Sequence, residues 1–193
     1  MRRINLYGGP GIGKSTVAAQ LFAHLKVRGF EVELVNEWIK AWAWQGIKPG
    51  GFDQLYVFAK QLRKEDIVLR HGGFIVTDSP LFTQLAYLKQ YGDDAEHLYD
   101  ALTIVGNAWE KKYPSLNILL DRGNREYRQK GRYQNERQAK EIDNLVKEAL
   151  DKLEIPYVVY CADQIGDISD VVIQTLTRSS HERATDLVGQ IPG

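Results

Sequence analysis

Residues 8–15 read Gly8-Gly9-Pro10-Gly11-Ile12-Gly13-Lys14-Ser15 and match the pattern G-x-x-x-x-G-K-[ST] at every fixed position. They follow the apolar segment Ile4-Asn5-Leu6-Tyr7, which predicts a strand, and precede a predicted helix from Ser15 to about Arg28. Glycines let the backbone curl so that successive N–H groups converge on phosphate oxygens, and the helix points its positive dipole end at the same anion. A plain glycine-rich turn is the alternative, but it explains neither the lysine nor the hydroxyl at their offsets. The stretch therefore predicts a loop that binds a nucleoside triphosphate.

This phosphate loop assigns a role to its polar side chains. We expect Lys14 to reach the β- and γ-phosphates and to act in catalysis, and the Ser15 hydroxyl to hold Mg²⁺. The predicted nucleotide contacts of the loop and the first helical turn are Gly9, Pro10, Gly11, Ile12, Gly13, Lys14, Ser15 and Thr16.

Length and composition narrow the class of protein. A chain of 193 residues suits one α/β domain with a sizeable core. Lys plus Arg and Asp plus Glu both count 25, so any nucleic-acid contact must come from a local basic patch. Cys161 is the single cysteine, which excludes an internal disulfide, and no Cys/His spacing supports a structural zinc site.

No apolar run is long enough to span a bilayer or to act as a signal sequence. We therefore expect no membrane partner and a cytoplasmic location, which is the host cell cytoplasm if the chain is encoded by a phage. The oligomeric state stays open, a homodimer included.

Strand and helix patterns alternate along the chain. Strands are predicted at Ile4–Tyr7, Glu31–Val35, Phe74–Thr77, Leu116–Leu120 and Tyr157–Tyr160, and helices at Ser15–Arg28, Asp53–Arg70, Pro80–Gln90, Ala95–Lys112 and Gln138–Leu153. Apolar residues of the second helix are predicted to lie mostly on one side, namely Leu55, Phe58, Leu62, Ile67 and Leu69. This alternation predicts an α/β three-layer sandwich with a five-stranded parallel sheet over residues 1–178. Residues 179–193 carry no clear pattern and are either a mobile tail or a partner-docking arm.

Acidic residues follow three of the predicted strands, at Glu37, Asp78 and Asp121, where ligands bind in an open parallel sheet. Asp78 ends the third strand and is predicted to bind Mg²⁺ and to take part in catalysis, with a helix N-cap as its alternative role. Glu37 follows the second strand and is the predicted general base, with complementation of a helix dipole as its alternative.

Cationic residues dominate a segment of about residues 122–137, here called the lid segment. It contains Arg122, Arg125, Arg128, Lys130 and Arg132, together with Gly123 and Gly131. Guanidinium groups on a closing flap stabilise the charge that spreads over the oxygens during phosphoryl transfer. We expect Arg132 to be catalytic and Arg128 to contact the nucleotide. The alternative is a solvated helix face that pairs with Glu126 and Glu136.

Aromatic residues are concentrated after the predicted base, at Trp38, Trp42, Trp44, Phe52 and Tyr56. They form either the pocket of a nucleobase acceptor, which needs flat faces to stack on, or ordinary core. For the pocket, the predicted acceptor contacts are Trp38, Gln54, Phe58 and Gln61.

Four motifs together resemble the P-loop kinases of nucleosides and nucleotides: the phosphate loop, then residues 33–38 (Glu-Leu-Val-Asn-Glu-Trp), 53–61 (Asp-Gln-Leu-Tyr-Val-Phe-Ala-Lys-Gln) and 76–81 (Val-Thr-Asp-Ser-Pro-Leu). The similarity covers nearly the whole chain to about Ala162 and is strongest to small kinases of tailed bacteriophages, which are related to thymidylate kinases and to the ribosylnicotinamide kinase domain. Some of these phosphorylate the hydroxymethyl group of 5-hydroxymethyluracil in DNA. The resemblance implies ATP and Mg²⁺, Glu37 as base, Asp78 as catalytic or metal-binding acid, and Gln61 on the acceptor base.

One departure bears on the acceptor. Thymidylate kinases usually carry Asp-Arg-aromatic, and deoxynucleoside kinases Glu-Arg-Ser, where this chain has Asp78-Ser79-Pro80. The missing arginine favours an acceptor that presents a hydroxyl. Our leading hypothesis is phosphorylation of a hydroxyl of a pyrimidine nucleotide, and the resemblance to the phage kinases implies 5-hydroxymethyluracil in phage DNA as the specific acceptor. The alternatives are a kinase of a free deoxynucleoside, deoxynucleotide or ribosylnicotinamide, and a nucleotide-switched ATPase or binding module.

Overall fold

The structure is a computed structural model that describes residues 1–91, 96–123, 126–128 and 130–188. Its strands are β1 (Arg3–Tyr7), β2 (Val32–Val35), β3 (Phe74–Thr77), β4 (Ser115–Asp121) and β5 (Val158–Cys161). They form one parallel sheet in the order β2-β3-β1-β4-β5. Its helices are α1 (Lys14–Val27), α2 (Lys40–Gln45), α3 (Asp53–Leu69), α4 (Thr83–Tyr91), α5 (Glu96–Lys112), α6 (Glu136–Lys152) and α7 (Ile165–Val188). The predicted α/β fold with a five-stranded parallel sheet is confirmed.

Alternating residues of the central strand β1 serve two separate hydrophobic cores. Ile4 and Leu6 pack with residues of α1 and α7 on one face of the sheet. Tyr7 packs with residues of α3, α4, α5 and α6 on the other face. Because successive side chains of a strand point to opposite faces, one buried strand holds both helical layers.

Helix boundaries follow local signals that hydrophobic periodicity does not contain. The Asn135 side chain accepts a hydrogen bond from the Gln138 backbone N–H, and the Gln138 side chain accepts one from Asn135 N–H. This capping box starts α6 at Glu136, two residues before the predicted Gln138. At the C-terminus, α7 runs past residue 178 to Val188, and residues 189–193 of the predicted tail lie outside the described residues.

Helix α3 buries polar side chains where an apolar face was predicted. Gln54, Gln61 and Glu65 are buried, whereas Leu55 and Ile67 are about half exposed. Contrary to the prediction, Leu55 and Ile67 therefore do not share the buried side of Phe58 and Leu69. Of the three buried polar residues, Glu65 is paired with a residue at the start of β1 and with one on α5. Glu65 accepts hydrogen bonds from Arg3 Nε and Trp109 Nε1, both at 3.0 Å.

No helix in the described part of the chain is long and apolar enough to cross a bilayer.

Candidate active site

The phosphate loop leaves the end of β1 and leads directly into α1. Gly8, Gly11 and Gly13 have φ angles of 135°, 79° and 113°, which are left-handed conformations that favour glycine. Because Gly13 is also the residue that precedes α1, the N–H groups of the first helical turn are presented next to the loop.

Lys14 folds back over this loop. Its ammonium donates hydrogen bonds to the carbonyl oxygens of Gly8 and Gly9, at 2.7 and 2.8 Å. Burial lowers the pKa of Lys14, and the carboxylates of Glu37 and Asp78 oppose that shift. The charge of the lysine is therefore coupled to the charges of both strand-end acids.

Glu37 and Asp78 are joined across two neighbouring strands. The Glu37 backbone N–H donates to Asp78 Oδ1 at 2.8 Å, and Asp78 is 3% exposed. Burial raises the pKa of the half-buried Glu37 carboxyl; the Lys14 ammonium lowers it and the Asp78 charge raises it further. Neither acid starts a helix, since α2 begins at Lys40 and α4 at Thr83.

The oxygen ligands at this end of the sheet suit Mg²⁺. The candidates are the Ser15 hydroxyl and the carboxylates of Asp78 and Glu37, which are hard donors. Among the described residues, no group of three or more His, Cys, Asp or Glu could hold a metal ion by itself. This fits an ion that is bound by one or two protein oxygens and completed by phosphates and water.

A cavity of about 550 Å³ opens beside the loop. Its walls come from the phosphate loop and α1 (Pro10, Gly11, Gly13, Lys14, Ser15, Thr16), the segment from Glu37 to α3 (Glu37, Ile39, Lys40, Ala43, Pro49, Gln54), α4 (Gln84, Tyr87) and the lid segment (Glu126, Arg128, Gly131, Arg132, Tyr133, Gln134). Six of the predicted loop contacts thus border one space with Glu37, Arg128 and Arg132.

Some predicted contacts lie elsewhere. Phe58 belongs to the hydrophobic core at 2% exposure, and Gln61 is 1% exposed, so the structure does not bring either to the cavity. Trp38 also lies off the cavity: it packs edge-on against Trp42 and Tyr56 at centroid distances of 5.3 and 5.1 Å. The cavity instead meets Ile39, Lys40 and Ala43.

Two predicted loop contacts face the protein. Ile12 is a core residue at 1% exposure. Gly9 lies under α6, because a Cβ placed there would be 2.6 Å from the carbonyl oxygen of Ala139.

Gln61 has a structural partner at the strand ends. Its Nε2 donates to Thr77 Oγ1 at 3.0 Å, and the same hydroxyl donates to the Val35 carbonyl oxygen at 2.8 Å. Thr77 Oγ1 also accepts from Ser79 N–H at 3.1 Å. Thr77 therefore ties the end of β2, which precedes Glu37, to the end of β3, which precedes Asp78.

The described part of the lid segment packs on both sides of the cavity. A Cβ at Gly11 would lie 2.8 Å from the Tyr127 ring, and one at Gly131 would lie 2.9 Å from the Trp44 ring. The Arg132 guanidinium carbon is 5.7 Å from the Tyr127 ring centre. Arg125, which the prediction also included, lies outside the described residues.

Arg122 was predicted only as one of the lid cations, and Asp143 of α6 was not predicted as a site residue. Arg122 pairs with Asp143 of α6 at 2.7 Å and donates to the Pro10 carbonyl oxygen at 2.9 Å. Asp143 also accepts from the Gly9 N–H at 2.6 Å. The position of Arg122 after a strand end indicated a site residue. Asp143 lies within an ordinary helical pattern, so nothing in the sequence around it indicated its role.

Comparison with known proteins agrees with this geometry. A family model described as an AAA domain matches residues 3–167, which is most of the chain. A search of curated proteins finds no match. The matched range contains all five strands and the complete phosphate loop. The chain therefore belongs to the AAA domain family of P-loop proteins, a membership that implies binding of a nucleoside triphosphate with Mg²⁺.

Proposed function

We propose that this protein is an ATP-dependent kinase that phosphorylates a hydroxyl of a pyrimidine nucleotide, with the hydroxymethyl group of 5-hydroxymethyluracil in phage DNA as the specific acceptor. The observation that carries the proposal is the set of residues that line the cavity. The cavity runs from the phosphate loop past Glu37 to Gln54 and Gln84, and its volume of about 550 Å³ lies within the usual range for small-molecule sites. Such a chamber supports a second substrate beside the nucleotide.

The side chains of the cavity supply the chemistry of transfer. The acceptor hydroxyl oxygen bonds to the γ-phosphorus, the bond from that phosphorus to the β–γ bridging oxygen breaks, and ADP leaves with that electron pair. Glu37 takes the hydroxyl proton, a role that its raised pKa favours. Lys14 and Arg132 offset the negative charge on the transferred group. Ser15 and Asp78 would hold Mg²⁺, which would supply further positive charge at the phosphates.

The hydroxyl acceptor is supported by the end of β3. Ser79 is 4% exposed, and its N–H is bound to Thr77. This position holds a short neutral side chain where the kinases that the chain resembles carry an arginine. The assignment to phage DNA rests on that sequence resemblance.

The test is transfer of label from γ-³²P-ATP. Oligonucleotides that contain 5-hydroxymethyluracil, matched oligonucleotides that contain thymine, and the free nucleoside and monophosphate are each incubated with the protein and Mg²⁺. We expect label on the 5-hydroxymethyluracil oligonucleotide alone. Lys14→Ala is expected to lower transfer by about 100-fold or more. Lys26→Ala, at an exposed position of the same helix, is the matched control and retains activity.

Label on the free compounds alone would reject the DNA acceptor and keep the kinase. ADP release at one rate with and without every acceptor would reject the kinase in favour of a nucleotide-switched ATPase, because a kinase is slow until its acceptor is bound.

A further inference from the structure

Two carboxamide side chains border the cavity at positions that are otherwise buried. Gln54 lies in the first turn of α3, and Gln84 lies in the first turn of α4. Each residue is only 2% exposed, yet both contribute to the cavity wall. The small exposed fraction of each side chain therefore faces the cavity.

Neither side chain has a hydrogen-bond partner within the part of the chain that the structure describes. Gln61, which is buried to the same extent on α3, donates to both Thr77 and Glu65. The amide atoms of Gln54 and Gln84 are not among the fully buried unpaired polar atoms of the described residues, so they reach the cavity, where they are available to a ligand. Two unpaired carboxamides on one cavity therefore point to a ligand that binds them.

We propose that Gln54 and Gln84 form a subsite that binds an uncharged edge of the phosphoryl acceptor. On this edge, an N–H group that donates hydrogen bonds lies next to a carbonyl oxygen that accepts them. This inference rests on the proposed kinase function and specifies the acceptor. A carboxamide offers one carbonyl oxygen and an NH₂ group without net charge, so it matches a cyclic imide or a primary amide. Enzymes that act on an extruded base read its edge in the same way.

The surrounding wall fits a planar ring that carries such an edge. Tyr87 borders the cavity one helical turn after Gln84. Its aromatic ring provides a flat apolar surface, which is what a heteroaromatic ring stacks on. Glu37 borders the same cavity, so a hydroxyl elsewhere on the acceptor can meet the base.

Uracil carries a cyclic imide and nicotinamide carries a primary amide, so either ring could bind at this subsite. Two pairs of acceptors distinguish the two rings. One pair is 5-hydroxymethyl-2′-deoxyuridine and 5-hydroxymethyl-2′-deoxycytidine, free and within an oligonucleotide; the cytosine replaces a carbonyl by an amino group and loses the ring N–H. The other pair is the ribosides of nicotinamide and nicotinic acid. For the accepted ring, we expect kcat/KM to favour the imide or amide member by about 10- to 100-fold. The ring that is phosphorylated identifies the source.

Gln54→Leu and Gln84→Leu test the residues themselves. Each variant is expected to raise the KM for the acceptor by about 10-fold or more and to leave the affinity for ATP unchanged. The ratio of kcat/KM between the two members of the accepted pair is expected to move towards one. Without ligand, their Tm is expected to equal or exceed the wild-type value, because an unpaired buried amide is removed. Gln20→Leu, at an exposed position of α1, is the control and keeps the wild-type ratio.

Two results would overturn the subsite while leaving the kinase intact: leucine variants that discriminate as the wild type does, or leucine variants with a clearly lower Tm, which would make the amides structural. A wild-type protein that hydrolyses ATP but phosphorylates no member of the panel would reject the kinase proposal itself.

Discussion

The surroundings of Glu37 raise the pKa of its carboxyl group. Its backbone is bound to Asp78, and its side chain is near enough to Lys14 for the charges to interact. Burial and the Asp78 charge raise its pKa, and Lys14 only partly offsets them. A carboxylate with a raised pKa binds a proton more readily near neutral pH, which suits a general base.

The pH dependence of transfer tests this role. Below the raised pKa, the Glu37 carboxyl is protonated and accepts no proton, so kcat is expected to fall as the pH decreases through that value. Glu37→Gln should lower kcat by about 10²- to 10⁴-fold and remove the acidic limb. The measurement is a pH–rate profile at saturating substrates. A Gln variant that keeps the limb, or one that loses ATP affinity as much as kcat, would contradict the role.

The sequence predicted the strand-end positions of Glu37 and Asp78 correctly, but it did not predict which residues of α3 face the cavity. Glu37 and Asp78 were found because the carboxyl ends of parallel strands meet at one edge of the sheet. Whether Gln54 or Gln61 faces the cavity depends on the rotation of α3 about its axis. Apolar periodicity misjudged that rotation, since Leu55 is 47% exposed and Gln61 is 1% exposed.

At the scale of elements, the lid segment is held to the rest of the site at three places. Arg122 and Asp143 bind the backbone of the phosphate loop, Tyr127 packs on Gly11, and Gly131 packs on Trp44. These contacts connect the lid segment to the phosphate loop, to α6 and to α2. A shift of the lid segment therefore changes the walls of the cavity directly.

Gly131→Ala tests the contact between the lid segment and α2. Gly131 has a φ of 77°, and an added Cβ would meet the Trp44 ring at 2.9 Å. Gly29→Ala is the matched control, because Gly29 has a φ of 82° but nothing within 4 Å. Both variants should lose about 1–2 kcal/mol of stability from backbone strain. Only Gly131→Ala should lower kcat/KM for transfer, by about 10- to 100-fold. Equal turnover in the two variants would show that this contact is dispensable.

Element boundaries were predictable where the signal is periodic, as in α5 and β3. The short helix α2 was missed because its six residues are too few to show a helical period. The start of α6 depends on the hydrogen bonds of Asn135 and Gln138, which are readable from residue type and spacing.

At the scale of the whole molecule, a cluster of buried charged residues is expected to contribute to the free energy of unfolding. Arg3 and Glu65 are 1% and 0% exposed, and Arg3 also pairs with Glu110 at 2.7 Å. This cluster joins the start of β1 to α3 and α5. Removing one partner leaves the other charge buried and uncompensated.

Arg3→Met is expected to lower the free energy of unfolding by about 3–5 kcal/mol. Lys26→Met, which breaks an exposed pair with Glu33, should cost less than about 1 kcal/mol. Urea denaturation of both variants gives the comparison. Similar small losses would show that the buried pair contributes no more than a surface pair.

The fold was predictable because alternating strand and helix patterns around a phosphate loop leave few arrangements. The buried polar cluster was not, because Arg3 and Glu65 are 62 positions apart and charged residues are seldom fully buried. Their pairing requires the three-dimensional packing of α3 and α5 against the sheet.

The order of the strands gives the site an electrical polarity. β3 and β2, which lead to Asp78 and Glu37, lie on one side of β1, and β4, which leads to Arg122 and the lid arginines, lies on the other. For the proposed kinase, we expect the acceptor hydroxyl to lie on the side of Glu37, and the departing nucleotide to lie on the side of the lid arginines.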